Sequence, residues 1–199
     1  MSDQRLHPLS TIYRSNGPKR EDNKSFSLSD KRYDPIVEAV LFAVYDLKSQ
    51  IGSVPTSTAI IAVTACGCEK HISHVAAALA DNPRPRQAFF ARASATMLAA
   101  YPALALATHG PTFTLMGNSA TLHWAWSMAN SLVQRSLCEG AIIIAADAAV
   151  DEAGYVAVAT YVDGSKPSGQ PVRDRRPPVI HEIPSLTLAT WLNLKADAE

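Results

Sequence analysis

Charge is what this sequence has little of. Its 199 residues hold 18 Lys and Arg against 18 Asp and Glu, so 18% are charged and the net charge is zero, whereas a typical globular chain is roughly 25% charged. A neutral chain has no electrostatic footprint for nucleic acid or for an anionic membrane surface, and neither is expected as a partner. The shortage is local. Residues 34–162 carry 15 charged side chains in 129 positions, and residues 93–134, a run of 42, carry none. A run of that kind has to be sheltered from water.

Long apolar stretches are also missing. The longest, residues 95–107, is interrupted by Thr96 and Pro102 and is shorter than the roughly 20 residues that span a bilayer, so no membrane helix is expected. The first 22 residues, MSDQRLHPLSTIYRSNGPKRED, lack the apolar core of a secretory signal. The expected compartment is therefore the cytoplasm. Cysteine is scarce and odd in number: Cys66, Cys68 and Cys138. A disulfide framework is excluded on that count and reduced thiols are expected.

Three regions follow from the pattern of what is present. Residues 1–33 have few large apolar side chains and read as a flexible or extended arm with no candidate for an opening strand. Residues 34–162 read as one α/β domain. The tail, residues 163–199, is rich in proline and reads as a surface-wrapping arm, regular only at about 186–194.

Within the domain, DPIVEAVLFAVYDLKSQIG starts a helix at Asp34-Pro35, aligns Ile36, Val37, Val40, Leu41, Val44 and Leu47 on one stripe, and stops at Gly52. Residues 58–67 are short, β-branched and apolar on both faces, as a strand buried between two layers is. A helix follows and ends before Asn82-Pro83. Residues 89–109 read as mainly helix, kinked at Pro102 and closed by Gly110-Pro111. Residues 112–116 form a short strand, residues 120–138 a long helix, and residues 141–146 and 155–162 two more strands. Strand and helix alternate as in a layered α/β fold.

Three clusters carry potential chemistry. Cys66, Cys68, His71 and His74 are of zinc-ligating type, but their spacing matches no common structural module. They read as a buried thiol, a glycine turn and an exposed helix face, with no metal bound. At Met116-Gly117-Asn118-Ser119 a strand meets a helix, where unpaired helix N–H groups stabilise an anion. Ser119 reads as the cap of that helix, and as a nucleophile only if His123 serves as its base. Arg173-Asp174-Arg175-Arg176 reads as a solvated charge run, or as a grip for a phosphate or an acidic carrier.

Residues 110–148, GPTFTLMGNSATLHWAWSMANSLVQRSLCEGAIIIAADA, resemble the nucleophile region of the β-ketoacyl synthases, a thiolase-like family. There a Gly-Pro strand leads to a cysteine elbow, a long helix and a further strand. TAIIAVTACGCE and YVAVATYV resemble two other strands of that family, and the likeness is strongest to chain-length-factor-like subunits, including the short ones that accompany aryl-polyene type ketosynthases. The resemblance implies half of a thiolase-like fold, a βαβαβ-type layered sheet with helices. The family's nucleophilic cysteine falls on Ser119, and its catalytic histidines lie in a half for which this chain has no room.

The expected function is that of a chain-length-factor-like subunit without turnover of its own. It would pair as a heterodimer with an active ketosynthase in fatty-acid-like or polyketide biosynthesis, binding no cofactor. Thr112, Phe113, Thr114, Leu115 and Met116 would lie at the interface. Phe113, Met116, Trp124 and Trp126 would be candidates for an acyl tunnel, and an acyl carrier protein would be a further partner. Two other readings stay open: a Ser-based acyltransferase using Ser119 and His123, and a carrier-protein-binding module.

Overall fold

The computed structural model describes residues 10–14, 34–81, 93–148 and 155–164. These form five strands, β1 (Ser10–Arg14), β2 (Ala59–Thr64), β3 (Thr112–Met116), β4 (Gly140–Ala148) and β5 (Tyr155–Asp163). Four helices accompany them: α1 (Pro35–Ile51), α2 (Glu69–Asp81), α3 (Met97–Leu106) and α4 (Ser119–Gln134). The strands make one sheet in the order β1-β5-β4-β2-β3. β2 runs parallel to both β3 and β4, while β5 is antiparallel to β4 and to β1.

Side-chain alternation sorts the core into two layers. Ile60, Ala62, Ile142, Ile144, Ala157 and Ala159 face α1 and α3, while Ala59, Ile61, Val63, Ala141, Ile143 and Ala145 face α4. This is why β2 and β4 read as continuous apolar runs: both faces are covered. α1 forms as its sequence dictates. The Asp34 side chain accepts the Ile36 N–H, Pro35 sits in the first turn, and Gly52 ends the helix at φ 79°. Its stripe of Ile36, Val37, Val40, Leu41, Val44 and Leu47 is fully buried, each side chain contributing roughly 1.5–3 kcal/mol.

The structure corrects the sequence reading in four places. An opening strand exists, at Ser10–Arg14, paired antiparallel with β5 from Ser10 opposite Thr160 to Arg14 opposite Val156. The helix expected over 89–109 is interrupted at residues 94–96: Ala93 is helical, α3 runs over Met97–Leu106, and residues 89–92 lie outside the described residues. Ser94 and Thr96 turn the chain there with their own side chains, the Ser94 hydroxyl accepting the Thr96 N–H and meeting the Thr96 hydroxyl at 2.7 Å. Pro102 lies inside α3 with its ring buried, and the helix ends on Ala107 in the left-handed region at φ 54°.

α4 stops at Gln134 instead of Cys138. Ser136 takes φ 55°, its N–H donates to the Val133 carbonyl and that of Leu137 to the Leu132 carbonyl, a closing pattern that ends helices. Finally, His71 is not on an exposed face but is turned toward Asp34. The charge run at 173–176 and the tail lie outside the described residues.

Gly110 sets the approach of β3 to β2. A Cβ there would meet the backbone carbonyl oxygens of Ser57 and Thr58, and the Pro111 carbonyl accepts the Ile60 N–H at 2.9 Å. Backbone atoms cannot swing aside as a side chain can. Gly110→Ala is therefore expected to cost about 1–3 kcal/mol, read as a fall in Tm of roughly 2–12 °C.

Candidate functional site

Because β2, β3 and β4 are parallel, their C-terminal ends open on one edge of the sheet, the usual position for ligand sites in open α/β sheets. Three segments meet there: the turn after β2 (Thr64 to Cys68), the elbow after β3 (Met116 to Asn118) and Asp147 near the end of β4. The Gly117 N–H donates to the Thr64 carbonyl at 3.0 Å, tying the elbow to β2.

Asp147 holds the turn. Its Oδ1 accepts the Ala65 N–H at 2.7 Å and the Cys66 N–H at 3.2 Å, and lies 3.3 Å from the Thr64 hydroxyl. That hydroxyl in turn accepts the Gly67 N–H at 2.8 Å. Gly67 is at φ 61°, with Ala95 Cβ and Met116 Cε each 3.4 Å from where its own Cβ would stand. A second carboxylate, the buried Asp34, spans two helices: Oδ1 accepts the Ile36 N–H at 3.1 Å and Oδ2 the His71 backbone N–H at 2.8 Å. The His71 Nδ1 lies 3.4 Å from the same oxygen. Neither carboxylate stood out in the sequence as a site residue. The available signal was an Asp closing an apolar strand and an Asp before a helix-opening proline.

The four residues of metal-ligating type do not converge. The Cys66 sulfur lies 3.6 Å from the Gly67 carbonyl oxygen and 3.8 Å from the Thr64 hydroxyl, while the Cys68 sulfur lies 3.5 Å from the Ser94 carbonyl oxygen. His71 faces Asp34, and His74 is exposed with its ring 6.3 Å from that of His71. Among the described residues no group of three or more His, Cys, Asp or Glu side chains is placed to hold a metal ion. Burial, reinforced by the charge of Asp34 and by Cys66, pushes the Cys68 thiol up to about 12. Burial first, and then Asp34, raises Tyr155 as well.

At the elbow, Asn118 and not Ser119 caps the helix. The Asn118 Oδ1 accepts the Ala120 N–H at 3.0 Å, and Ser119 is the first helical residue. Asn118 thereby engages one of the N–H groups that an oxyanion would need. His123 is half-buried on the next turn and has no carboxylate partner among the described residues. On β3, Phe113 and Leu115 pair with Ile61 and Val63 and so face the α4 side, while Thr112, Thr114 and Met116 face the other. Trp126 is half-buried against the α4 layer, but Trp124 points away from the sheet and is 73% exposed. The four tunnel candidates thus share no single face: Phe113 and Trp126 lie on the α4 side of the sheet, Met116 faces the other side and Trp124 points outward.

No family model matches the sequence, and no curated protein matches it. Solved structures do. A ketosynthase (ApeO) in complex with its chain length factor (ApeC) from Xenorhabdus doucetiae matches 75% of this chain with a TM-score of 0.60 at 9% identity, over 65% of the matched chain. The ishigamide ketosynthase/chain length factor matches 71% of this chain with a TM-score of 0.60 at 16% identity, over 46% of its own. Ketosynthase twelve of the bacillaene polyketide synthase from Bacillus amyloliquefaciens matches 67%, with a TM-score of 0.55 at 12% identity, over 29% of its own. The chain thus spans less than two thirds of each. At these identities the likeness is one of fold: this chain has the layered fold of the thiolase-like ketosynthases, over one part of it.

Two predictions follow from the geometry. Asn118→Ala removes the cap and is expected to cost about 1 kcal/mol, whereas Ser119→Ala stays within about 0.5 kcal/mol, both read by urea denaturation. The raised Cys68 thiol stays protonated in the fold, so its contribution to stability is intact below about pH 9, the ordinary thiol value. It is lost as the pH rises toward about 12, because the unfolded chain ionises first. The urea midpoint should fall between pH 9 and 11, and fall less steeply in Cys68→Ala.

Proposed function

We propose that this chain is a chain-length-factor-like subunit, without turnover of its own, that pairs with an active ketosynthase in fatty-acid-like or polyketide assembly. The observation that carries this reading is the state of β3. It is the end strand of the described sheet, with Phe113 37% and Met116 60% exposed, inside a run without a single charge. Open edges normally carry charge, proline or a cover, because their unpaired N–H and C=O groups invite another strand. An apolar and uncharged one is suited to an interface.

The chemistry supports a non-catalytic role. Where a nucleophile would stand, this chain has Ser119; a serine hydroxyl is unreactive without a positioned base, and the nearest candidate in sequence, His123, has no carboxylate among the described residues to orient it. In the proposed pair the partner supplies the reacting thiol. This chain covers the partner's interface and, through a bulky side chain at that edge such as Phe113, limits the space left to a growing acyl chain. The acyl group would arrive on an acyl carrier protein, and the arginines at 173–176 offer a contact for it.

Co-expression with a ketosynthase from the same source tests this directly. A stable complex is expected in sedimentation, abolished by Phe113→Asp and by Met116→Glu; the second residue is mostly exposed, so that variant keeps its fold when alone. Ser119→Ala should leave product formation by the pair within a few-fold, and replacing the partner's nucleophile should abolish it. A stable monodisperse monomer in the presence of the ketosynthase would overturn the pairing. An acyl adduct on Ser119, with loss of turnover in Ser119→Ala, would establish the acyltransferase reading instead.

A further inference from the structure

Helix α4 has one covered face and one bare face. Leu122, Ala125 and Ala129 are buried against the sheet, while Ala120, Trp124 and Ser127 are exposed. No residue of the helix is charged. Solvated helix faces usually carry charged as well as polar side chains; this one carries no charge, and on it the Trp124 indole stands 73% exposed between Ala120 and Ser127.

The path of the chain supplies a cover. β5 ends beside the last turn of α4: the Gly164 N–H donates to the Glu139 carbonyl at 2.9 Å, and a Cβ on Gly164 would stand 2.9 Å from Val133 Cγ1. From that point 35 residues remain, and their composition divides sharply. Residues 165–182 hold every Arg of the tail and four of its five prolines, whereas residues 183–194, IPSLTLATWLNL, hold no charge and include Leu186, Leu188, Trp191 and Leu192.

We propose that residues 183–194 dock on the outer face of α4, around Trp124, as an intramolecular cover. Reach is sufficient, since the 18 intervening residues extend up to about 60 Å and the 16 residues of α4 measure about 24 Å. Covalent connection raises the local concentration of the segment to the millimolar range. A contact one helix face wide, too small to hold a separate chain against the loss of its free motion, is then populated. An uncharged apolar segment leaves water and the bare indole is shielded. The strand edge at β3 takes no part, so this inference does not rest on the pairing proposed above.

The test uses the full-length chain carrying photo-leucine, a diazirine analogue, in place of Leu188. Irradiation and peptide mapping should find cross-links within one molecule, from position 188 to residues of α4. Trp124→Asp, a change at a solvent-facing position, should cut their yield about tenfold with an unchanged circular dichroism spectrum. Met116→Glu, which blocks the proposed pairing, should leave the yield as it was. Cross-links that join two molecules, that fall on β3, that are absent from α4, or that survive Trp124→Asp undiminished would each overturn the proposal.

Discussion

The parallel pairing of β2 with β4 is the constraint from which the rest of this molecule follows. Both strands are apolar on both faces, so a layer of helices is needed on either side, and α1 with α3 and α4 supply the two layers. Once β2 and β4 run side by side in the same direction, with β3 parallel beside β2, three chain reversals are forced onto one edge of the sheet. The polar groups freed at that edge need partners. Asp147 meets this need for the turn after β2, and Asp34 does so for the first turns of both α1 and α2. These carboxylates are tied up in structural hydrogen bonds, and their place at the catalytic-looking end of the sheet is accounted for without any reaction.

The distribution of charge separates what the fold buries from what it leaves for others. The uncharged run 93–134 covers α3, β3 and α4. Leu98, Ala99, Ala103 and Leu106 are buried under α1, and the inner face of α4 is buried on the sheet. That explains a large part of the run. It does not explain Met116 or Trp124, which are exposed although no neighbour in sequence carries a charge to hold water near them. On the readings proposed above, the missing charges at the strand edge and on the outer face of α4 belong to further contacts. The two places call for different occupants: an edge with unpaired backbone groups takes a strand, and a helix face takes side chains.

The elements that could be read in the sequence were those whose signals are local. Asp34-Pro35 and Gly52 bracket α1, and the β-branched runs gave β2 and β4 with their burial. What escaped depends on distant partners. β1 is five residues long and gains its structure from β5, more than 140 positions away. The start of α3 is set by hydroxyls at Ser94 and Thr96 that compete with the helix for backbone groups. At the elbow, Asn118 and Ser119 are both good caps, and only the backbone path decides that Asn118 fills the role. His71 looked solvent-facing because the buried Asp34 that it meets lies 37 residues earlier.

The elbow itself shows why geometry alone does not argue for turnover. Gly117 is bound to the end of β2 through the Thr64 carbonyl, and a Cβ at that position would collide with the Thr121 side chain on the first turn of α4. Asn118 closes the helix start and Ser119 opens the helix. Each of these demands comes from joining an edge strand to a helix packed across the sheet, and none of them requires a nucleophile. A chain can therefore exchange the reactive side chain at this turn and keep the turn, because the turn belongs to the packing of β3 against α4. The same packing presents Phe113 and Met116 at the edge of the described sheet, so the strand, the elbow and the helix have a physical reason to be kept together whatever side chain stands at the turn.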